Sequence, residues 1–399
     1  MTTWELDEEH EAFRLVCRRF VDEQVRPYVV GSEAAGTFPG ELWPKLAQAG
    51  LLGLMIPEEY GGSPADNLAI TLLAEELARA SGGIAITPLV SSYMAGSHIA
   101  RFGTADQKGR YLPDVAAGRC VVSIAVTEPG AGSDVAGITT VAAPAEGGFA
   151  LRGAKTFITN AGLADVMVVA AKTDRDAGHR GITTFLVDTD QPGLTLGAPL
   201  PKMGWHSSDT REVFFDDCPV GEERVLGQVG SGFYQIMESF QLERVLLGAM
   251  GIGLAAECLD DARAYAAQRE VFGGRLSDLQ TIRHRLAEME VDLHLARLVT
   301  YQAAARLDSG HPEAAATVAM AKLAAARVAN RVADEAVQIF GGSGFIDETP
   351  VARHYRDALF PAELHSLRAD RPLPSCAIHP DPGNMEPRTL LNNLVRNRR

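Results

Sequence analysis

The segment "SFQLERVLLGAMGIGLAAECL", residues 239–259, decides the fold. From Val245 to Ala256 it carries no charged side chain, and its Leu, Ala and Gly content suits a helix packed closely on several sides. It reads as a buried helix. Glu243 stands at the mouth of this apolar run. An ionised carboxylate entering such a core loses its hydration, so it must be paired, protonated or used. Arg244 is a poor partner despite being adjacent, because neighbouring residues on a helix point about 100° apart and do not face each other. An ion pair with some other helix remains the structural alternative to catalysis.

Outward from this segment the helical period continues through "LQTIRHRLAEMEVDLHLARLVTYQAAARL" and "AAATVAMAKLAAARVANRVADEAVQIFGG". These long Ala-rich stretches suit an antiparallel four-helix bundle over residues 231–368. Before them, "CVVSIAV", "FALRGAKTFIT", "VMVVAAKT", "ITTFLVD" and "EVFFDD" are short β-branched or aromatic runs divided by Gly, Asp and Asn. They indicate an antiparallel β-barrel domain over residues 120–230. Residues 1–119 repeat apolar positions every three or four residues between Gly and Pro breaks, and read as an α-helical domain. The class is α+β, mostly α. Residues 369–399 are Pro-rich with little periodicity and a basic end, the composition of a loose or partner-wrapped tail.

Composition narrows the function. The chain has 399 residues, is 46% hydrophobic and carries a formal charge of -14, which argues against a nucleic-acid surface or a polybasic membrane patch. No charge-free run reaches the length of a membrane span, and "MTTWELDEEHEAF" is acidic where a secretory signal would be basic, so no membrane insertion and a cytoplasmic location are expected. Cys17, Cys120, Cys218, Cys258 and Cys376 show no CxxC pair and no metal spacing, and read as reduced thiols.

The most informative motif is "AVTEPGAGSDVAGITT", residues 125–140, a strand running into a Gly-rich turn. Amides freed by Gly130 and Gly132, with the hydroxyls of Thr127 and Ser133, make a cradle for a phosphate or the polar edge of a cofactor ring. The segment, followed by "KTFITNAG" at residues 155–162, resembles the flavin-binding signature of the acyl-CoA dehydrogenase family. The resemblance extends to about Ala358 and includes "LGLMIPEEYGG", "GTADQKGRYLPDVAAGR", "KMGWHSSDTREVFFDDCPV", "REVFGGRLSDLQ" and "QIFGGSGFIDETPVARHYRDA".

This resemblance implies FAD as cofactor, with Val126, Thr127, Gly132 and Ser133 along the isoalloxazine and pyrophosphate. Phe157, Ile158 and Thr159 match a stretch that packs against the ring, with Phe157 replacing a more usual Trp. Arg269, Phe272, Gln280, Gln338, Gly341 and Gly342 match positions that reach the FAD of a neighbouring subunit, which implies a homotetramer or at least a dimer. Ser133, Gln241 and Arg244 are the substrate-contacting candidates, Arg244 matching an arginine at the substrate's nucleotide end.

Family chemistry removes a proton next to a thioester carbonyl while flavin takes a hydride from the following carbon, which calls for a carboxylate base in a dry pocket. In many relatives that base is a Glu in "YEGT" after "RDA". This chain instead reads "LFPAELHSLRADRP" after Ala358, placing His365 in the register of that Glu, and "GTxEIQ" has no counterpart after Leu367. Other relatives carry the base on the buried helix, in a segment resembling "LERLVLA", and Glu243 in "LERVLLG" matches it. The candidates stand in the order Glu243, Glu363, His365. The implied activity is α,β-desaturation of a short, medium or branched acyl thioester, on CoA or on acyl carrier protein, with electrons passing to an electron-transfer flavoprotein. A flavin monooxygenase or oxidase and a non-catalytic flavoprotein are the alternatives on the same fold.

Overall fold

The computed structural model describes residues 6–363. Seven helices come first: α1 (Glu8–Phe20), α2 (Val29–Ala35), α3 (Leu42–Gln48), α4 (Asn67–Ala80), α5 (Gly82–Pro88), α6 (Gly96–Phe102) and α7 (Ala105–Ala116). A π-helical stretch, Leu89–Ala95, joins α5 to α6. Capping explains where several begin. The Asp7 carboxylate accepts from the His10 amide, Asp66 from Ala69, and Thr104 and Gln107 form a reciprocal capping box at α7.

Eight strands follow: β1 (Val122–Ala125), β2 (Val141–Ala145), β3 (Gly148–Thr159), β4 (Val166–Lys172), β5 (Ile182–Asp188), β6 (Leu194–Leu196), β7 (Thr210–Gly221) and β8 (Val225–Leu226). Their order is β6-β7-β3-β2-β4-β5-β8, with β1 added against β4. The sheet departs from all-antiparallel pairing around β4: β1 runs parallel to it from Val122↔Val166 to Ala125↔Val169, and β2 meets it in parallel at Val141↔Lys172. Parallel neighbours need a long crossover, and the β2–β3 hairpin between β1 and β4 supplies it. Strand β4, "VMVVAAK", is apolar at almost every position because both its faces are covered. Val166 and Val168 pack with Leu112 and Val115 of α7, whereas Met167 and Val169 face the interior of the sheet with Phe185 and Val213.

The rest is a four-helix arrangement: α8 (Gly232–Gln268), α9 (Gln280–Asp308), α10 (Ala314–Phe340) and α11 (Pro350–Glu363). A small hairpin of β9 (Glu270–Val271) and β10 (Gly274–Arg275) lies between α8 and α9. Helix α8, 37 residues long, is the common wall. Leu242, Leu246 and Met250 pack with Leu73 and Leu77 of α4 and with Leu89 and Tyr93. Ile252, Ala255 and Leu259 pack with residues of α9, α10 and α11. Ile236 and Phe240 pack against Val126 and Ala131. Among the described residues no helix is long and apolar enough to cross a membrane.

Such enclosure requires backbones to approach closely. A Cβ on Gly253 would run into the Glu75 carbonyl oxygen of α4, and one on Gly251 would lie 3.3 Å from the Ala325 carbonyl oxygen of α10. The prediction is that Gly253→Ala lowers the thermal unfolding midpoint. The roughly 1 kcal/mol that alanine gains in a helix is outweighed by about 1–3 kcal/mol of overpacking against main chain that cannot swing aside. An unchanged or raised midpoint would show that α4 can back away from α8.

Candidate active site

The end of β1 is held by a buried ion pair. Glu128 accepts from Lys155 Nζ at 2.7 Å, from the Thr139 amide at 2.6 Å and hydroxyl at 2.7 Å, and from the Thr140 amide at 2.9 Å. Lys155 Nζ also donates to the Val126 carbonyl at 3.1 Å, and the Thr156 amide donates to the Thr127 carbonyl at 2.9 Å. Burial alone would raise the Glu128 carboxyl, but the Lys155 ammonium and the Thr140 and Thr139 hydrogen bonds outweigh it and hold it at about 2. Burial pulls the Lys155 ammonium down to about 8 against the pull of Glu128. Both groups are therefore charged at neutral pH, and strand residues 126–128 are clamped to β3.

Beyond the clamp the chain turns sharply, Glu128 and Ala131 exchanging two backbone hydrogen bonds of 3.0 and 3.1 Å. Gly130, Gly132 and Ser133 are exposed on this turn. Among the described residues, no protein acceptor meets the backbone amides of Thr127, Gly132 or Ser133. A Cβ on Gly130 or Gly132 would meet nothing within 4 Å, so the space beside them is not filled by protein. Free amides on an open turn suit an anionic or carbonyl-edged ligand.

Phe157 borders the same region. A register irregularity between Lys155 and Ile158 throws it outward, 68% exposed and at φ 59°, a backbone conformation costly for a bulky side chain. Ile158 turns inward into the sheet core, and Thr159 is half-buried with its carbonyl accepting from the Ser123 hydroxyl at 2.6 Å. An exposed aromatic face beside free amides and the hydroxyls of Thr127, Ser133 and Thr159 fits a flat ring system with polar edges, as a flavin has.

Glu243 stands on α8 three residues after Phe240, which packs with Val126 and Ala131, so this stretch of the helix borders the turn. Glu243 is 9% exposed, and Oε1 has no hydrogen-bond partner. Burial pushes its pKa up to about 7, with Arg244 pulling weakly the other way. Arg244 does not neutralise it. The Arg244 guanidinium lies over the Phe240 ring at 5.8 Å. Gln241 and Arg244 are both half-buried on α8.

The remaining flavin candidates lie elsewhere. Arg269 and Phe272 sit at the β9 hairpin, Gln280 opens α9, Gln338 closes α10, and Gly341 and Gly342 follow it. Tyr265 of α8 stacks on Phe340 of α10 at 4.2 Å, so these residues share one end of the bundle. Arg269 is 26 residues beyond Glu243 on or just past the same helix, or about 39 Å at helical rise. Phe272 is 97% exposed at φ 49°, like Phe157 a bulky exposed residue held in the left-handed region. These six lie at the other end of α8 from Glu243. Glu363 and His365 lie outside the residues whose side chains are described, as does the tail 369–399.

Reading residues singly missed the Glu128–Lys155 pair, although Leu151 and Lys155 share strand parity and so point to the same interior. It also missed the link between "GWHSSDT" and "RDA". The Trp205 amide donates to Asp357 Oδ1 at 2.7 Å and the indole Nε1 donates to the Asp357 carbonyl at 3.1 Å, tying a loop of the β layer to α11.

Comparison with known proteins gives the family. Three family descriptions, the N-terminal, middle and C-terminal domains of acyl-CoA dehydrogenase, match residues 7–119, 123–218 and 230–363. The chain belongs to the acyl-CoA dehydrogenase family. It is 39% identical over 350 residues to the short-chain specific acyl-CoA dehydrogenase of Megasphaera elsdenii, covering 87% of this chain and 91% of that protein. It superposes on the butyryl-CoA dehydrogenase structure from Megasphaera elsdenii with a TM-score of 0.87 at 37% identity, covering 92% and 96% of the two chains. The FAD complex of PigA gives the same TM-score at 29% identity, covering 92% and 95%. As a member of this family the protein is an oxidoreductase.

The clamp yields a prediction. Lys155→Met strands a buried carboxylate and should cost about 3–5 kcal/mol, read as a large drop in the thermal midpoint. Adding Glu128→Gln removes the orphaned charge and should recover part of that loss. A double variant no better than the single one would show that the charge itself is not what is lost.

Proposed function

We propose that this protein is an FAD-dependent acyl-CoA dehydrogenase that desaturates a short, medium or branched acyl thioester, with Glu243 as the base. The observation that carries the proposal is the Glu243 carboxyl, buried, unpaired at Oε1 and raised to about 7, on the helix whose Ile236 and Phe240 pack against Val126 and Ala131 of the turn segment. Other buried carboxylates have stated partners: Glu75 and Glu76 are neutralised by Arg297 and Arg18, and Asp357, also raised to about 7, accepts from the Trp205 amide at Oδ1.

FAD, when bound, supplies the hydride acceptor. The Val126–Ser133 segment, Phe157, Ile158 and Thr159 would hold it, clamped by Glu128 and Lys155. The Glu243 carboxylate takes the proton from the carbon beside the thioester carbonyl. That C–H electron pair becomes the new double bond as the next carbon gives up its hydride. A carboxyl near pKa 7 is a strong enough base to share in this step and is still about half ionised at neutral pH. Gln241, Arg244 and Ser133 would contact the substrate, with Arg244 placed toward its charged end.

The six residues at the far end of the bundle would complete the FAD site of another copy, which supports a homotetramer, or a dimer as the smallest complete unit. We take CoA over acyl carrier protein as the carrier, from the relatives named above, and an electron-transfer flavoprotein as the acceptor, from the family resemblance. Cys17, Cys120, Cys218 and Cys258 are free thiols, which suits the reducing cytoplasm.

The test is anaerobic bleaching of the flavin by saturated acyl-CoA and acyl-carrier-protein substrates. Glu243→Gln should retain FAD and lose substrate reduction, by at least two orders of magnitude if general-base catalysis is removed. For the wild type, the reduction rate should rise with pH through about 7, because only the ionised carboxylate accepts the proton. Undiminished bleaching in the Gln variant would sink the assignment. No bleaching of the wild type by any thioester would favour oxygen chemistry at the flavin.

A further inference from the structure

One turn before Glu243 on the same face of α8 stands Ser239, 2% exposed, whose hydroxyl has no hydrogen-bond partner. Buried hydroxyls are seldom left so. Helical side chains lean toward the N-terminus and cover the preceding turn, so a side chain at 243 lies over position 239. Two buried, unpartnered polar groups thus share one patch of the helix surface. One turn is the spacing at which helical side chains meet, and both side chains have staggered rotamers to choose from.

We propose that Ser239 is the positioning residue for Glu243, its hydroxyl partnering the carboxyl in both protonation states. This rests on the reading of Glu243 as the base. The base must start ionised and end protonated in a groove with little water. A hydroxyl suits both ends of that change, because it donates to a carboxylate and accepts from a carboxylic acid, whereas Lys or Arg could only donate. The partnership orients the carboxyl and favours its charged form over a bare apolar site.

Among the described residues, the other ionisable groups on the elements around α8 lie away from Glu243 or are engaged elsewhere. The Gly82–Ala95 stretch carries no charged side chain, and its Tyr93 hydroxyl is bonded to the Leu51 carbonyl. On α6, His98 is held neutral by burial, at about 4, and Arg101 pairs with Glu238. On α4, Glu75 is engaged by Arg297 and Tyr301 of α9, and Glu76 by Arg18. Lys322 of α10 lies one position past Ala321, which packs on Val245, nearly opposite Glu243 around the helix. Arg353, His354 and Asp357 of α11 are near the Asp261 and Trp205 level of the molecule. Among the described residues, Arg244 is the charge that acts on Glu243.

The experiment is an infrared pH titration of the oxidised holoenzyme, following the protonated-carboxyl band that is absent from Glu243→Gln. Ser239→Ala should move its midpoint up by about one unit, since the lost hydrogen bond favoured the anion. Ser239→Thr, which keeps the hydroxyl, should hold the wild-type midpoint. Below the midpoint, flavin reduction in Ser239→Ala should be about tenfold slower, with little change at high pH. A midpoint unmoved in Ser239→Ala, or moved equally in Ser239→Thr, overturns the proposal. Should Glu243→Gln still be reduced by substrate, the catalytic reading falls, while the titration still decides whether the two side chains are partners.

Discussion

The near-contact of main chains at Gly253 is the constraint on which the rest depends. Because no side chain separates α8 from α4 there, and little separates it from α10 at Gly251, α8 can be enclosed by helices from both halves of the chain. Enclosure is what makes its mouth dry, and dryness is what gives a carboxyl at that mouth an unusual proton affinity. A larger residue at this crossing would loosen the wall on which the N-terminal helices, the sheet and the bundle all pack.

The second requirement is that a cofactor-holding turn be rigid while keeping its amides free. Those demands conflict, since backbone amides left unbonded normally destabilise a fold unless water or a ligand meets them. The Glu128–Lys155 pair reconciles them by holding the turn from behind, through carbonyls and a side chain. The exposed phenylalanines at positive φ belong to the same pattern. Phe157 and Phe272 are both held in a costly conformation that presents an aromatic face outward. Strain of this kind persists where surrounding structure over-determines it, and here it marks both ends of the site we assign to FAD.

Much of the fold was legible in the chain. The succession of helical, β and helical patterns is local, because amphipathic period and turn residues are written at each position. The buried character of α8 was legible for the same reason, and so was the anomaly of Glu243 within it. Less could be read of how strands pair. The parallel alignment of β1 with β4 depends on a crossover, and nothing in "CVVSIAV" states which neighbour it meets. The clamp was hidden because Glu128 and Lys155 are 27 residues apart, each an ordinary surface type when read alone. Trp205 and Asp357 were hidden likewise, across 152 residues.

The sequence by itself determined the order and kind of the elements, the apolar run that must be buried, and the one carboxyl that could not rest there without a reason. Those are properties of side chains and their spacing. Only the tertiary structure decided that Glu243 goes unpaired at Oε1, that Ser239 beneath it also lacks a partner, and that six of the expected flavin contacts gather at the far end of the bundle. Hydrogen bonding and desolvation are set by whatever else occupies the surrounding space, and that occupancy comes into being only when distant segments fold together.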